Sequence, residues 1–352
     1  MNVAFVYPNP RARLLEQIAR GDAPDTTLLG QNHLHEFGIE ATIHDPVLRR
    51  RNRRSGLLHR ITWNAREVTL PWELRGVDVA CTPLAGAFPL MARVRGGPRV
   101  LLVSYHLCAT YERSTPVARR LLKSSIRSAA AVVCVSEEGA RRLIELVGVD
   151  ASRVHVAQLG VDERFWAAMP LAPDGYVLSV GRDLARDYAT FARAMAELPL
   201  KAVLVAKREN LVGIELPPNV EVRLDIGPEE VRGLYGGAAC VVVPIHGEGH
   251  VYGTENSGTI ALLESMATGR PTIVTDRETL RDYLRPGETA LTVPPEDAAA
   301  LRESVLRVLG DPTLGEALGE SARRAVDERF TTRALAERLA GIVEQLQGTT
   351  RS

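Results

Sequence analysis

The sequence predicts an α/β protein built from two doubly wound domains. Short, continuously apolar runs such as VAFVY (residues 3–7) and YVLSVG (176–181) alternate with longer amphipathic segments in both halves of the chain. Continuous rather than alternating hydrophobicity is typical of parallel strands that are covered on both faces. With 352 residues, the chain is also too long for one comfortable core, so two domains of about 150 residues each are expected.

The strand-like and helical segments follow one another in a regular order. The runs VAFVY, ATIHD, VDVACT, RVLLVSY, AVVCVS and RVHVAQ predict strands in the first half, and YVLSVG, KAVLVA, NVEVRL, ACVVVP, TIVT and ALTV predict strands in the second. Between them, EEGARRLIELVG, ATFARAMAEL and EEVRGLYGGA have apolar residues at helical spacing. Strand–helix alternation run twice predicts two facing Rossmann-like domains with an interlobe cleft that binds ligand.

The domain boundaries are expected where strand signals lapse and prolines appear, between Gly160 and Gly175. We therefore predict an N-terminal domain over residues 1–165 and a C-terminal domain over residues 166–333. The last helix, over 334–352, is expected to pack back toward the N-terminal domain.

The cysteines and the apolar runs of the sequence indicate the cellular compartment and the absence of a zinc site. The four cysteines are far apart and form no C-x-x-C pair, which favours a reduced, cytoplasmic protein without a zinc site. The chain starts without the basic and apolar regions of a signal peptide, and no apolar run is long enough to span a bilayer.

The zero net charge combines +7 in residues 1–165 with −7 in the remainder. A basic half predicts contact with something anionic, either a membrane surface or an acidic acceptor. The densest cluster is RRRNRR, Arg49 to Arg54, for which a solvated loop is an equally good interpretation.

One segment carries an anion-binding pattern. In GTENSGTIALLESMATGRP, Gly253 to Pro271, the small polar residues Ser257, Gly258 and Thr259 stand at the start of a helix. A helix N-terminus presents unpaired N–H groups and the positive end of the helix dipole, and the two hydroxyls would add donors. Glu264 follows on the same helix, where it could accept hydrogen bonds from a ribose. A well-capped helix with a surface glutamate is the competing interpretation.

The segment from Ser257 onward, SGTIALLESMATGRPTIVTDRETLRDYLRPGETALTVPPED, resembles the donor-binding segment of the retaining GT-B glycosyltransferases of group 1, which are similar to family 4. The runs AVVCVSEEGARRLIELVGVDASRVHVAQLGVDERFW and VLSVGRDLARDYATFARAM resemble further parts of that family. The resemblance implies that Arg182 grips the donor diphosphate, as a guanidinium clamp that offsets the leaving-group charge. It also implies a second cation, for which Arg186 and Lys207 are the two candidates.

The resemblance also assigns the sugar contacts. The family has two glutamates eight positions apart, and counting back from Glu264 reaches Asn256, with Glu255 beside it. Glu264 is expected to bind the ribose, and either Glu255 or Asn256 the transferred sugar. His106, at the end of the run RVLLVSY, corresponds to a family histidine that faces the sugar. His106, Arg182, Glu255 and Asn256 are therefore the predicted catalytic residues.

The resemblance implies a metal-independent enzyme that moves a hexosyl-type sugar from a nucleotide diphosphate sugar and retains anomeric configuration, with UDP as the carrier that is usual in the family. It also implies that the domain over 1–165 lies on the acceptor side and that the domain over 166–333 binds the nucleotide sugar. No cofactor and no nucleic acid are expected. The acceptor stays open among a small molecule, a glycan and a lipid-linked compound. The alternatives are a nucleotide-sugar epimerase of the same fold and a non-catalytic protein that binds the sugar nucleotide. The absence of a G-x-G-x-x-G after the first strand disfavours a dehydrogenase, and the glycines in HGEGH disfavour a zinc helix.

Overall fold

A computed structural model describes residues 1–45, 66–172 and 175–348. The chain divides into two compact units. Unit 1 comprises Met1–Gln17, Leu28–Gln158 and Leu335–Ser352, and unit 2 comprises Ile18–Thr27 and Leu159–Ala334. The basic cluster Arg49–Arg54 lies outside the described residues.

Strands and helices alternate along the first half of the chain. The strands are β1 (Asn2–Val6), β2 (Glu40–His44), β3 (Val79–Thr82), β4 (Arg99–Ser104), β5 (Ala131–Cys134) and β6 (Val154–Val156). The helices are α1 (Ala12–Arg20), α2 (residues 66–73), α3 (Phe88–Arg95), α4 (Leu107–Arg113), α5 (Pro116–Ser128) and α6 (Glu137–Val147).

In unit 1, the strands of the described residues form one sheet in the order β2-β1-β3-β4-β5-β6, and every pairing is parallel. The strands β3 and β5 are buried along their whole length, as their continuous hydrophobicity predicts. Apolar side chains of the helices complete the core on the sheet faces, for example Phe88 of α3 and Leu143 of α6.

The second half repeats the alternation. The strands are β7 (Tyr176–Val180), β8 (Ala202–Ala206), β9 (Val220–Leu224), β10 (Ala238–Val243), β11 (Thr272–Thr275) and β12 (Leu291–Val293). The helices are α7 (Tyr188–Ala196), α8 (Pro228–Gly236), α9 (Thr259–Ala267), α10 (Ala298–Gly310), α11 (Pro312–Arg329) and α12 (Thr332–Gly348).

In unit 2, the described strands form a second sheet in the order β12-β11-β10-β7-β8-β9, again parallel throughout. Phe191 and Met195 of α7 and Val305 of α10 are buried in a core with the strand residues. Because β7 comes first in sequence while β8 and β10 flank it, the chain reverses direction across the sheet between β7 and β10. Ligands in such sheets bind outside the carboxyl ends of the strands at this switch point.

Candidate functional site

A cavity of about 280 Å³ lies at the carboxyl end of β7 in unit 2. It is bounded by the turn after β7 and by the first turns of α8 and α9. Its lining consists of Pro24, Trp166, Val180, Gly181, Arg182, Asp183, Arg186, Pro228, Val231, Ile260, Ala261 and Glu264. The cavity thus brings together three of the predicted donor-binding residues, Arg182, Arg186 and Glu264.

Arg186 is the most deeply buried cation of this cavity. Its backbone pairs with Ile245 just after β10, which holds residue 186 across the switch point. Its side chain is only 3% exposed, and its Nε donates to Oδ2 of Asp183 over 2.7 Å. No acceptor within the described part of the chain reaches its Nη1. A buried guanidinium with an unused donor is costly, so the arrangement favours an anionic ligand.

Arg182 lines the same cavity but differs from Arg186 in environment. Its side chain is exposed, and its Nη2 donates to the carbonyl of Ile226. The two guanidinium groups therefore approach the cavity at different depths. Two cations facing one small cavity match the charge of a diphosphate group.

Glu264 lies on the part of α9 that faces the cavity and is part-buried. Burial raises the pKa of its carboxyl to about 7, against the opposing effects of the Tyr235 hydroxyl and of the charges of Arg186 and Arg182. The hydroxyl of Tyr235 donates to Glu264 Oε2 over 3.3 Å. Because burial also holds the pKa of Tyr235 well above its ordinary value, the phenol stays protonated and remains a donor.

An edge-to-face contact between two aromatic rings supports this pair. The Trp166 ring meets the Tyr235 ring edge to face, with centroids 5.4 Å apart. Trp166 follows the GVD turn, in which Asp162 accepts the backbone N–H groups of Phe165 and Asp25 over 3.0 Å each. Asp162 thereby fixes the loop that carries the indole into the cavity. The indole N–H of Trp166 has no acceptor among the described residues.

Sequence reasoning missed Tyr235 and Trp166. Tyr235 lies within an amphipathic helix, where an aromatic residue is usually a core residue, and nothing in LYGG marks its hydroxyl. The signal for Trp166 is its place in the run GVDERFW, which the family resemblance includes as a whole without giving that residue a role.

The start of α9 is built from a tight loop. Gly258 caps it at a φ of +83°, and a Cβ there would lie 2.1 Å from Cδ1 of Ile245, so both the backbone and the space require glycine. Thr259, the first helical residue, is 1% exposed, and its hydroxyl has no partner among the described residues.

The expectation that the Ser257 hydroxyl adds a donor for a ligand needs correction. Ser257 is only 3% exposed, and its Oγ accepts the N–H of Thr254 over 3.0 Å. Thr254 Oγ1 donates to Asn256 Oδ1, so the proton of Ser257 is left to bond Thr254 Oγ1, 3.0 Å away. The Ser257 hydroxyl therefore closes the loop instead of facing a ligand.

The remaining predicted residues do not line this cavity. Glu255 is buried at 3% exposure, and Asn256 is part-buried in the loop before α9. Arg277 stabilises that loop. It donates hydrogen bonds to both carboxylate oxygens of Glu248 and to the carbonyl of Thr254. Ser257, Gly258 and Thr259 also stand outside the lining, although Ile260 and Ala261 belong to it.

Lys207 and His106 do not line the cavity either. Lys207 directly follows β8 and is exposed, so of the two candidates for the second cation only Arg186 lines the cavity. His106 belongs to unit 1, where it is exposed and directly precedes α4, two residues after β4 ends.

Over 1–45, 66–172 and 175–348, no group of three or more His, Cys, Asp or Glu side chains is arranged to hold a metal ion. His246 and His250 of the HGEGH run instead stack their rings 3.9 Å apart. Within the same residues, no helix has the length and apolar character needed to cross a bilayer.

Two family models match the chain, one in each half. The model described as Glycosyltransferase Family 4 matches residues 14–165, and the model described as Glycosyl transferases group 1 matches residues 176–311. The second match contains Arg182, Arg186, Tyr235 and Glu264.

Two curated proteins are similar in sequence. An α-D-kanosaminyltransferase of Streptomyces kanamyceticus is 25% identical over 289 residues, covering 73% of this chain and 73% of that protein. A D-inositol 3-phosphate glycosyltransferase of Nocardia farcinica is 29% identical over 227 residues, covering 56% of this chain and 49% of that protein. The match thus spans about half the length of the second relative.

Solved structures resemble the chain over nearly its full length. Sucrose-phosphate synthase from Thermosynechococcus elongatus has a TM-score of 0.73 at 18% identity, covering 99% of this chain and 100% of that one. The Anabaena protein HepE, solved in complex with UDP-glucose, has a TM-score of 0.70 at 13% identity, with 99% and 100% covered. At these identities the likeness concerns the fold.

Proposed function

The chain belongs to the group 1 and family 4 glycosyltransferases and has their GT-B fold, and from this premise we propose that it transfers a hexosyl-type sugar from a UDP-sugar to an acceptor hydroxyl. The observation that carries the proposal is the buried guanidinium of Arg186. Arg186 lines a small cavity together with Arg182 and Glu264, and its Nη1 has no acceptor among the described residues. UDP as the carrier is supported by HepE, which was solved with UDP-glucose.

Each group of the donor has a chemically suitable partner. The diphosphate would lie between Arg186 and Arg182, where charge-assisted hydrogen bonds stabilise the leaving UDP as negative charge develops on it. The ribose hydroxyls would donate to the carboxylate of Glu264, which Tyr235 orients. The indole N–H of Trp166, a residue of the lining, is proposed as a further donor to the same ligand. The hydroxyl of Thr259 stands outside the lining but has no partner among the described residues, and it is proposed as a donor at the start of α9.

We propose that the reaction retains anomeric configuration and needs no metal ion. The bond between the sugar C1 and the donor phosphate oxygen breaks, and the acceptor oxygen bonds to C1 on the same face. The acceptor proton passes to the departing phosphate oxygen, so atoms and charge balance. The two arginines supply positive charge that a divalent ion supplies in other phosphate sites.

His106 and the pair Glu255 and Asn256 are proposed to contact the transferred sugar, and Lys207 is proposed as an outer contact of the diphosphate. These roles rest on the family resemblance, since Arg182, Arg186 and Glu264 are the predicted site residues that line the cavity.

A thermal-shift screen followed by donor turnover tests the proposal. A ligand that binds only the folded chain raises the melting temperature, so UDP-glucose and UDP should do so more than ADP or inorganic phosphate. A transferase then releases UDP slowly from the donor, and faster when acceptor alcohols are added. Formation of an isomeric nucleotide sugar would establish the epimerase instead, and binding without turnover would establish a non-catalytic protein.

A further inference from the structure

Helix α11 carries a cation, Arg323, that stands outside the lining of the cavity described above. Gly315 and Gly319 precede it at four-residue spacing, so the three positions share one face of the helix. A Cβ on residue 319 would lie 2.2 Å from the carbonyl oxygen of Gly269, just after α9, so the glycine lets α11 approach the end of α9 closely. One helical turn later, the same face brings Arg323 to that helix end.

One nitrogen of Arg323 contacts three carbonyl groups. Its Nη1 donates to the carbonyl of Ala267 over 2.7 Å, to that of Trp166 over 3.2 Å and to that of Glu163 over 3.3 Å. Ala267 is the last residue of α9, where helix carbonyls lack intrahelical partners and the helix dipole favours a cation. The guanidinium therefore joins the end of α9 to the loop that contains Trp166.

Asp327 fixes the plane of this guanidinium. Nε of Arg323 donates to Oδ2 of Asp327 over 2.9 Å, and Nη2 lies 2.8 Å from Oδ1, so the contact is bidentate. With Nε and Nη2 held in this way, Nη1 points to the carbonyl groups. Because the Asp327 side chain is 47% exposed, the ion pair itself adds little to stability, and its main effect is to orient the guanidinium.

The two segments that Arg323 joins carry two side chains of the cavity. Trp166 belongs to the loop, and Glu264 lies in the last turn of α9; both line the cavity. The Trp166 ring meets the ring of Tyr235, whose hydroxyl donates to Glu264. A shift of the loop relative to the end of α9 would therefore separate the indole from the Tyr235–Glu264 pair.

We propose, on the premise that the cavity is the donor site of the proposed function, that Arg323 is a positioning residue of this site and acts through Trp166. Its hydrogen bonds keep the indole and Glu264 at one spacing before the ligand enters. A site whose groups are already in place loses less free energy in ordering them when the ligand binds. Loss of these hydrogen bonds should therefore weaken donor binding by releasing Trp166.

Lysine at position 323 separates this role from that of a simple helix cap. Its ammonium would keep the positive charge and a donor for the carbonyl of Ala267. It lacks the planar fork that meets Asp327 and the loop carbonyls at the same time. A capping role alone therefore predicts that Arg323→Lys behaves as the wild type, whereas the positioning role predicts that it behaves like Arg323→Gln.

Fluorescence of Trp166 measures the placement of its indole in the full chain without nucleotide. The chain has three tryptophans, and Trp63→Phe with Trp72→Phe leaves Trp166 as the single source of indole emission. In this background acrylamide should quench Trp166 weakly, because the residue is 2% exposed. Arg323→Gln and Arg323→Lys should both raise the quenching constant severalfold. Arg324→Gln changes the exposed neighbour on α11 and is the matched control, which should leave quenching unaltered.

Titration with UDP-glucose is the second measurement. Arg323→Gln should weaken binding about fivefold, and Arg324→Gln should leave it unaltered. Unchanged quenching in Arg323→Gln would overturn the proposal, as would raised quenching with unchanged affinity, or wild-type behaviour of Arg323→Lys. If Arg323→Gln does not fold, Asp327→Asn decides by the same two measurements, because it releases the guanidinium at little cost in stability.

The two proposals fail in different ways. If the wild type did not bind UDP-glucose, the proposed function would be wrong. Quenching of the unliganded chain would still decide whether Arg323 positions Trp166, since that measurement needs no donor.

Discussion

A Cβ atom on residue 181 would lie 2.2 Å from Nε of Arg186 and 2.4 Å from its Cζ, so the glycine at the end of β7 leaves the space that the buried guanidinium fills. Contacts this short are not tolerated, and the clash involves the whole guanidinium group. Asp183 forms an ion pair with the same group, and its Oδ2 lies 2.7 Å from Nε of Arg186. Gly181 and Asp183 of the GRD turn therefore both position the guanidinium of Arg186 at the cavity.

This relationship predicts that Gly181→Ala displaces Arg186 and weakens UDP-glucose binding about tenfold or more, because charge-assisted hydrogen bonds are lost. Isothermal titration measures the change. Gly233→Ala in α8 is the matched control, since a Cβ there meets nothing within 4 Å. Unaltered affinity in Gly181→Ala would mean that Arg186 does not contact the nucleotide.

The different burial of the two arginines predicts different losses. Arg186→Ala should weaken UDP-glucose binding by about 2–4 kcal/mol, whereas the exposed Arg182 should contribute about 1 kcal/mol. Because Arg186 Nη1 lacks an acceptor among the described residues, Arg186→Ala should cost little stability without ligand. Titration and thermal unfolding of both variants check this order, with the exposed Arg208→Ala as control. A larger loss for Arg182 would reverse the assignment.

The sequence predicts the fold well because strand burial is a local signal. Each apolar run identified above is a strand in the structure, and the alternation with helices gives the parallel order. The burial of the Arg186 side chain could not be predicted from the sequence. It depends on the space left by the missing Cβ of Gly181 and on the backbone pairing with Ile245, which is distant in sequence. For the same reason, the composition of the TENSG loop suggested a free Ser257 hydroxyl, and only the three-dimensional contacts show its use by Thr254.

The carboxyl of Glu264 predicts a pH dependence of stability. Its pKa is about 7 in the folded chain, compared with 4.5 for the free side chain, so folding favours its protonated form. The protonated carboxyl contributes to the free energy of unfolding in full below about pH 4.5. This contribution is lost as the pH rises through about 7. Without nucleotide, wild type should therefore lose about 1–2 kcal/mol relative to Glu264→Gln between pH 5 and pH 8. Urea unfolding of both proteins across this range measures the difference, and a constant gap would contradict it.

Tyr235 is expected to act on the nucleotide through Glu264. Tyr235→Phe keeps the ring that meets Trp166 but removes the hydroxyl that favours the charged carboxylate, so the pKa of Glu264 should rise further. The pH at which wild type loses stability should move upward in this variant, and UDP-glucose affinity at pH 7.5 should fall about fivefold. Tyr252→Phe serves as control, since Tyr252 is 54% exposed. If the pH midpoint were the same in both proteins, the hydrogen bond from the Tyr235 hydroxyl to Glu264 would not stabilise the carboxylate.

The start of α9 offers a test in which stability and binding should move in opposite directions. Thr259 is 1% exposed, and its hydroxyl has no partner within the described residues. Valine has nearly the same shape, so Thr259→Val removes a buried, unsatisfied hydroxyl and should leave stability unchanged or raise it by about 1 kcal/mol. If that hydroxyl donates to the donor diphosphate, the same change should weaken UDP-glucose binding about tenfold.

Ser257→Ala is the contrast, because its hydroxyl bonds Thr254 and its loss should lower stability while binding changes less. Equal affinity of Thr259→Val and wild type would exclude the hydroxyl from the site and leave only backbone N–H groups at this helix end to meet the anion.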